Sequence, residues 1–244
     1  MSGIVIFGAG GRAGRAVTAE ALDRGHRVTA VVRDPDKHRD IAADGVRVLR
    51  GDITDLQAVS SIVPGHDAAV HAVSPFSGPE QGFDALDPRF FVKAADALLG
   101  GLAEARVPRL VLIGLFANLN DAGGRPVMDD PSVFPAEIRP FAVAHTAGLE
   151  RLRAAKDSPV DWLMLTPPAL LDAAGPRTGR YGIGGETAPG PASARLSYAD
   201  LAVAVIDEID TPRHRRTRVS VFDRPGDDHV SGRPPHARPA GLQD

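Results

Sequence analysis

Residues 4–14 decide the fold, and they read Ile4-Val5-Ile6-Phe7-Gly8-Ala9-Gly10-Gly11-Arg12-Ala13-Gly14. The four leading apolar residues predict a short buried strand, and the pattern that follows predicts a helix from about Arg12 to Arg24. A second strand is predicted at Arg27 to Val32, so strand, glycine loop, helix and strand fit within about 30 residues. This order predicts a βαβ unit in a parallel sheet.

The glycines of the loop have the spacing of a dinucleotide site. Gly8 permits a tight turn, Gly10 or Gly11 lets a pyrophosphate approach the backbone, and Gly14 lets the helix pack closely. The helix N-terminus offers unpaired N–H groups to the phosphates. We therefore predict a bound dinucleotide here, with a purely structural glycine turn as the alternative. The predicted contacts are Gly8, Gly10, Gly11, Arg12, Ala13 and Gly14.

Three charged residues bear on the choice of dinucleotide. Arg12 in the loop and Arg33 at the tip of the second strand can clamp a 2′-phosphate. Asp34 is the competing signal, because an acidic residue in this region binds the ribose diol of NAD. Asp34 precedes Pro35, however, which is typical of a helix N-cap. We predict NADP(H) in preference to NAD(H), with a solvated surface charge as the alternative for Arg33.

Apolar runs and helical patterns continue to alternate along the chain. Further strands are predicted at residues 46–49, 67–73, 109–113, 161–165 and 218–222, and helices at about 88–105, 135–155 and 198–209, with a capping box at 54–57 opening another. The pattern predicts a Rossmann-type, doubly wound parallel α/β sheet. We predict one domain over residues 1–224, in which about 167–197 form a small substrate-side lobe, and a disordered tail at 225–244.

Composition excludes several classes of function. The chain has 244 residues, a formal net charge of −3 and no cysteine. Disulfides, thiolate metal sites and a cysteine nucleophile are thereby excluded, and the histidines show no metal-binding spacing. The charge favours neither nucleic acid nor an anionic membrane, and no stretch is apolar enough to span a bilayer. We predict a cytoplasmic monomer or homodimer that binds a small-molecule acceptor and no metal.

Other segments strengthen the pattern: Val32-Arg33-Asp34-Pro35, Gly51-Asp52-Ile53-Thr54-Asp55, residues 67–74, Gly148-Leu149-Glu150-Arg151-Leu152 and residues 161–167. With them the chain resembles, over about residues 3–222, the atypical short-chain dehydrogenases/reductases of the NAD(P)H-binding type. This group includes NmrA-like regulators, biliverdin reductase B-like flavin reductases and bacterial proteins provisionally named NADH-flavin reductases.

The resemblance implies roles for residues beyond the loop. Asp52 and Ile53 would flank the adenine, and Val73 and Ser74 would lie beside the nicotinamide-side ribose. Pro167, with Pro168, would close over the nicotinamide. For Asp52 the residues themselves leave local turn chemistry as an equal alternative to an adenine contact.

One departure from the superfamily bears on the reaction. The wider superfamily uses a Tyr, a Lys four residues later and a Ser at the end of the fifth strand. Aligning Glu150 with the family's helix glutamate places Ala142 and Thr146 at the Tyr and Lys positions, and Gly114 stands where the Ser is expected. The usual proton donor for carbonyl reduction is therefore missing.

A conjugated acceptor such as a flavin or quinone delocalises the charge that hydride brings, so it depends less on a protein acid. The sequence therefore favours an NAD(P)H-dependent oxidoreductase acting on such an acceptor. An NmrA-like redox sensor that binds the cofactor without turnover is the alternative. An epimerase or dehydratase is a third reading, but those enzymes usually keep the Tyr and Lys.

Two sets of residues are candidates for the acceptor site. His145, on the helix that normally carries the Tyr and Lys, can donate to the acceptor, with a packing role as the alternative. Phe76, Phe116 and Phe134 fall in loops near predicted carboxyl ends of strands, where ligands bind in doubly wound sheets. We predict that these rings line an apolar acceptor site, with core packing as the alternative.

Overall fold

The structure, a computed structural model, describes residues 1–75, 86–190 and 195–224. The predicted tail at 225–244 and the predicted acceptor residue Phe76 lie outside these ranges. Within them, helices cover both faces of a mostly parallel central sheet. The predicted Rossmann-type α/β fold class is confirmed.

The described residues contain ten strands in two sheets. In chain order they are β1 (Gly3–Phe7), β2 (Arg27–Val32), β3 (Val46–Arg50), β4 (Ala68–His71), β5 (Arg109–Ile113), β6 (Asp161–Thr166), β7 (Leu170–Asp172), β8 (Tyr181–Ile183), β9 (Arg195–Ser197) and β10 (Thr217–Asp223). The large sheet has the order β3-β2-β1-β4-β5-β6-β10-β8, and β7 pairs with β9. In the large sheet β8 runs antiparallel to β10, whereas the other pairings are parallel.

Five α-helices lie in the described part of the chain: α1 (Arg12–Asp23), α2 (Leu56–Ile62), α3 (Phe90–Ala105), α4 (Arg139–Ala154) and α5 (Tyr198–Asp210). Helices α1 and α5 pack together on one face of the sheet, and α2, α3 and α4 cover the other. Because both faces are covered, β1 is free of polar side chains, and each of its residues is buried.

The strand order reverses between β1 and β4, because β2 and β3 extend the sheet to one side and β4 starts the other. Ligands of doubly wound sheets bind in the crevice at the carboxyl ends of the strands flanking such a point. The fold therefore directs attention to the loops that follow β1 and β4.

Three local predictions are wrong in detail. The N-cap of α2 is Asp55, whose side chain accepts a hydrogen bond from the Gln57 N–H, and not the predicted Thr54. Thr54 instead donates to the Asp52 carboxylate. Helix α4 begins at Arg139 rather than near Pro135, because a short 3₁₀ turn precedes it, and β4 ends before the predicted Val73.

Helices α3 and α4 pack closely at Gly148, where a Cβ would lie 2.6 Å from the Phe91 Cβ. We expect Gly148→Ala to destabilise the protein by about 1–3 kcal/mol through overpacking, although alanine favours helix more than glycine does. Gly100→Ala in α3 is the matched control, because its Cβ would meet only the end of the flexible Leu56 side chain at 3.1 Å. Urea denaturation measures both, and equal effects of the two substitutions would contradict the packing assignment.

Candidate functional site

The loop between β1 and α1 turns sharply at Gly8, whose φ of +86° lies in the left-handed region. A Cβ here would lie 2.6 Å from the carbonyl oxygen of Ala72, directly after β4. Gly8 also donates its N–H to the Val31 carbonyl at 3.0 Å. Glycine is therefore required at position 8 for the left-handed backbone and for the close approach to Ala72. These contacts join the ends of β1, β2 and β4.

The first turn of α1 lies directly on this loop. A Cβ at Gly14 would be 2.2 Å from the Gly8 carbonyl oxygen, so a side chain at 14 would push the helix away. Gly11 differs, since its Cβ would meet only that same oxygen, at an ordinary 3.5 Å, among the described residues. The space beside Gly11 is open, and the backbone there is accessible to a ligand.

The N-terminus of α1 carries no competing side chain. Its N-cap, Gly11, makes no side-chain capping bond, and the first turn contains no acidic residue. The unpaired N–H groups and the positive dipole end of this 12-residue helix therefore lie beside the open space at Gly11. This arrangement fits a pyrophosphate group.

Arg12 and Arg33, the predicted 2′-phosphate residues, are both exposed. The Arg12 guanidinium lies over the ring of Tyr198, 5.7 Å from its centroid, and so links the start of α1 to the start of α5. Arg33 directly follows β2. An exposed cation–π contact contributes only about 0.5–1 kcal/mol, so it leaves Arg12 free to turn towards an anion.

Asp34 is the N-cap of a 3₁₀ segment, Pro35–Ile41, but its side chain makes no capping hydrogen bond. Its carboxylate lies 3.5 Å from the ammonium of Lys37. Asp34 therefore stands at the predicted N-cap position, but its side chain does not make the capping hydrogen bond.

The same 3₁₀ segment folds back onto the glycine loop, which sequence reasoning missed. The His38 ring lies 2.6 Å from where a Cβ at Gly10 would be. Arg15 donates through Nε to the Gly10 carbonyl at 3.0 Å and pairs with Asp40 at 2.6 Å. These three side chains border the loop on the side of β2. Local patterns carry no signal for this contact, because it depends on the direction in which residues 35–41 return.

Asp52 and Ile53 follow β3 at the same edge of the sheet. Ile53 is buried, whereas Asp52 is exposed. One oxygen of Asp52 accepts hydrogen bonds from the Thr54 N–H at 2.8 Å and from its hydroxyl at 2.7 Å. This is the local turn chemistry named above as an alternative, and it fixes the carboxylate in place.

Val73 and Ser74 lie in the segment after β4, next to the glycine loop. The Val73 N–H donates to Nδ1 of His71 at 3.1 Å. A Cβ at Gly8 would lie 2.8 Å from the Val73 nitrogen. The buried His71 therefore fixes the backbone that follows β4, at the point where the loop after β1 meets it.

Gly114, Ala142 and Thr146, the positions aligned above with the superfamily's Ser, Tyr and Lys, lie directly after β5 and on α4. Asn118, after β5, donates to the carbonyl of Ala142 at 2.9 Å and to the Thr146 hydroxyl. Thr146 in turn donates to the Ala142 carbonyl at 3.0 Å. A neutral amide and a hydroxyl therefore both bond the carbonyl of Ala142. Sequence reasoning missed Asn118, because its partners are more than 20 residues away.

His145 is only 6% exposed. Its ring lies 4.5 Å from that of Phe91 and 6.4 Å from that of Phe141, between centroids. Burial lowers the pKa of His145 to about 4, although the Ile113 carbonyl opposes the shift. The side chain is therefore neutral near pH 7, and its placement is that of the packing alternative.

The remaining predicted residues lie after β5, before α4 and after β6. Phe134 is buried against Ala117 and Ala142, as the core-packing alternative describes. Phe116 is partly buried in a short 3₁₀ turn after β5. Pro167 and Pro168 directly follow β6, and both are buried.

No helix of the described residues is long and apolar enough to cross a membrane. The same part of the chain contains no group of His, Cys, Asp and Glu residues that could hold a metal ion.

The chain is similar to known proteins along most of its length. A model of the family described as NAD(P)H-binding matches residues 8–212. The uncharacterized protein YwnB of Bacillus subtilis strain 168 is 35% identical over 222 residues, 89% of this chain and 97% of that protein.

Two solved structures share the fold over nearly the whole chain. One, from Bacteroides thetaiotaomicron, is provisionally named an epimerase. It is 30% identical to this chain with a TM-score of 0.78, and the match covers 92% of this chain and 98% of that protein. The other, provisionally named an NADH-flavin reductase, is from Streptococcus pneumoniae TIGR4; it is 26% identical with a TM-score of 0.75, covering 92% and 100%.

Buried histidines make the stability of the site pH-dependent. Burial, with the neighbouring His145, lowers the pKa of His71 to about 3, and that of His145 is about 4. Below pH ~6.5 the unfolded chain binds protons at these residues that the folded protein does not, so stability falls as pH falls. We expect His145→Phe to reduce this slope by about 1.4 kcal/mol per pH unit between pH ~6 and ~4.5. Urea denaturation at several pH values tests this, and an unchanged slope would contradict it.

Proposed function

The chain belongs to the NAD(P)H-binding family, and on that premise we propose that it is an NADPH-dependent oxidoreductase that transfers hydride to a flavin, a quinone or a similar conjugated acceptor. One observation carries this proposal. A loop that fits a pyrophosphate lies at the switch point of the sheet, while Ala142 and Thr146 stand where a proton-donating Tyr–Lys pair would be. NADPH, when bound, supplies the hydride.

Binding is the part of the proposal with the most support. A Cβ at Gly8 or Gly14 would collide with backbone, so glycine is required at both, whereas Gly11 leaves its surroundings open. A purely structural turn would need Gly8 and Gly14, but it would gain nothing from an uncapped helix N-terminus beside open space. Residues of the loop would hold the pyrophosphate, and the segment after β4 would lie beside the nicotinamide ribose.

The nature of the acceptor follows from what the site lacks. A simple ketone becomes an alkoxide on receiving hydride and needs an acid within hydrogen-bond reach. Among the described residues, the side chains that hydrogen-bond at the Tyr and Lys positions are those of Asn118 and Thr146, neither of which is an acid near pH 7. His145 is buried and neutral. A conjugated acceptor spreads the charge and takes its proton from water. The name of the Streptococcus relative agrees with this class.

The proposed preference for NADPH rests on Arg33 and Arg12. A 2′-phosphate at the end of β2 would lie beside Arg33, with Arg12 reaching it from the start of α1. Guanidinium groups bind phosphate through charge-assisted hydrogen bonds, each contributing about 1.5–3 kcal/mol. NADH has no such group, so it would gain nothing from either arginine.

The reaction is tested by mixing the protein with NADPH and an acceptor and following the absorbance of the reduced cofactor. We expect oxidation with FMN or 1,4-benzoquinone and none with a simple aliphatic ketone, because the ketone needs the missing acid. Saturable NADPH binding without turnover on any acceptor would reject the enzyme and favour the NmrA-like sensor.

Cofactor choice is tested by Arg33→Ala. We expect the Kd for NADPH to rise about 10- to 100-fold and that for NADH to stay unchanged, because only NADPH carries the 2′-phosphate. Arg47→Ala, an exposed arginine within β3, is the matched control and should alter neither. Isothermal titration gives both constants, and equal weakening of the two cofactors by Arg33→Ala would contradict the assignment.

A further inference from the structure

The segment after β2 meets the glycine loop at Gly10. The three atoms nearest to a Cβ placed at Gly10 all belong to the His38 ring, at 2.6, 2.6 and 2.9 Å. Unlike Gly8, Gly10 does not have a left-handed backbone, so its conformation alone would accept a side chain. The glycine at position 10 is therefore explained by the ring of His38, which occupies the space in which a side chain would begin.

The peptide between Gly10 and Gly11 is held from both sides. Its carbonyl oxygen accepts a hydrogen bond from Nε of Arg15 at 3.0 Å. Its N–H donates to the Gly8 carbonyl at 3.0 Å. Because both polar atoms of this peptide are bonded, its plane has a fixed orientation. That orientation sets how the backbone of Gly11, with the open space beside it, enters α1.

Arg15 is itself oriented by residues of the segment after β2. Its guanidinium donates to both oxygens of the Asp40 carboxylate, at 2.6 and 3.3 Å, in the forked geometry that arginine favours. The hydrogen bond from Arg15 holds the pKa of Asp40 below its usual range, so this carboxylate is ionised near pH 7. The same guanidinium lies 3.5 Å from Nδ1 of His38. Arg15 therefore connects the Gly10 carbonyl with both Asp40 and His38.

The stability of the fold gives little reason for this arrangement. The side chains of Arg15 and Asp40 are 40% and 63% exposed, and exposed ion pairs contribute little to the free energy of unfolding. Residues 35–41 are anchored independently by Ile41, which is buried in the core together with residues of β2. What the contacts of Arg15 do fix is one peptide of the loop that fits a pyrophosphate.

We infer that His38 is a positioning residue of the dinucleotide site. With the Arg15–Asp40 pair it holds the peptide after Gly10 in the orientation that leaves the start of α1 open to a pyrophosphate. Gly10 then provides the space for His38, and Gly11 is the glycine beside which the pyrophosphate lies. The inference rests on the proposed function, from which it takes dinucleotide binding and no later step. Because NADPH and NADH share the pyrophosphate, His38 affects the binding of both.

A double-mutant cycle on Gly10 and His38 tests the inference. We expect Gly10→Ala to raise the Kd for NADPH at least about fivefold, because its methyl group displaces the ring. His38→Ala should also raise this Kd, since the loop loses its support. In the double variant the methyl group has room, so its Kd should lie at least about threefold below the value for additive effects. NADH should follow the same pattern, whereas Arg33→Ala is expected to weaken NADPH alone.

Two further variants separate positioning from packing. Asp40→Asn removes the charge that orients Arg15 at an exposed position, so we expect an unchanged melting temperature and a Kd about two- to fivefold higher for both dinucleotides. His66→Ala replaces another partly buried histidine, beside Gly3 at the amino end of β1, and should leave both Kd values unchanged. Calorimetric titration gives these constants at a temperature at which every variant is folded.

Additive effects of Gly10→Ala and His38→Ala, or an unchanged Kd in His38→Ala, would overturn the inference. If the wild type binds a dinucleotide but reduces no acceptor, the proposed reaction fails, and the same constants still test His38. If it binds neither dinucleotide, the proposed function fails, and amide exchange tests the loop by itself, because the Gly11 N–H is hydrogen-bonded. Exchange at Gly11 should be faster in His38→Ala and Asp40→Asn than in His66→Ala. Equal exchange rates would overturn the positioning role.

Discussion

The close contact between Gly14 and the Gly8 carbonyl is the constraint on which the rest of the site depends. A Cβ at 14 would sit 2.2 Å from that oxygen, so the first turn of α1 can lie on the loop only because no side chain separates them. This contact brings the helix N-terminus to the carboxyl end of β1. The left-handed turn at Gly8 adds the segment after β4, and the crevice at the switch point is complete.

A second close contact lies between the ends of β5 and β6. Gly114 at the end of β5 lies against Thr166 at the end of β6, and Asn118 bridges from there to α4. Arg218 connects this region to the segment after β8 by pairing with Glu186 at 2.8 Å while it donates to the Asn118 carbonyl. The polar groups in this region are therefore held by hydrogen bonds between distant segments, whereas the loop after β1 is held by close backbone contacts with α1, β2 and the segment after β4.

This difference between local and distant contacts explains which features could be predicted from the sequence and which could not. The strand, loop and helix of residues 4–24 depend on local pattern, and glycine spacing reports directly on the close contacts at 8 and 14. The burial of His145 depends on which face of α4 meets Phe91, and the approach of His38 to Gly10 depends on how residues 35–41 return. The side chains of Asn118 and Thr166 contact residues 24 and more positions away, which no local pattern encodes. The cap of α2 moved by one residue because Asp52 engages Thr54 and leaves Asp55 to cap the helix.

Dinucleotide binding at the glycine loop is tested most directly by a calorimetric titration of NADPH into the wild type and Gly11→Val. Within the described part of the chain, a Cβ at 11 meets only the Gly8 oxygen, at 3.5 Å, and φ is −78°, so the backbone there accepts a side chain. A valine would nevertheless fill the space in which the pyrophosphate must approach the helix N-terminus. We expect saturable binding to the wild type and none to Gly11→Val at an unchanged melting temperature. Equal affinity of the two proteins for NADPH would contradict it.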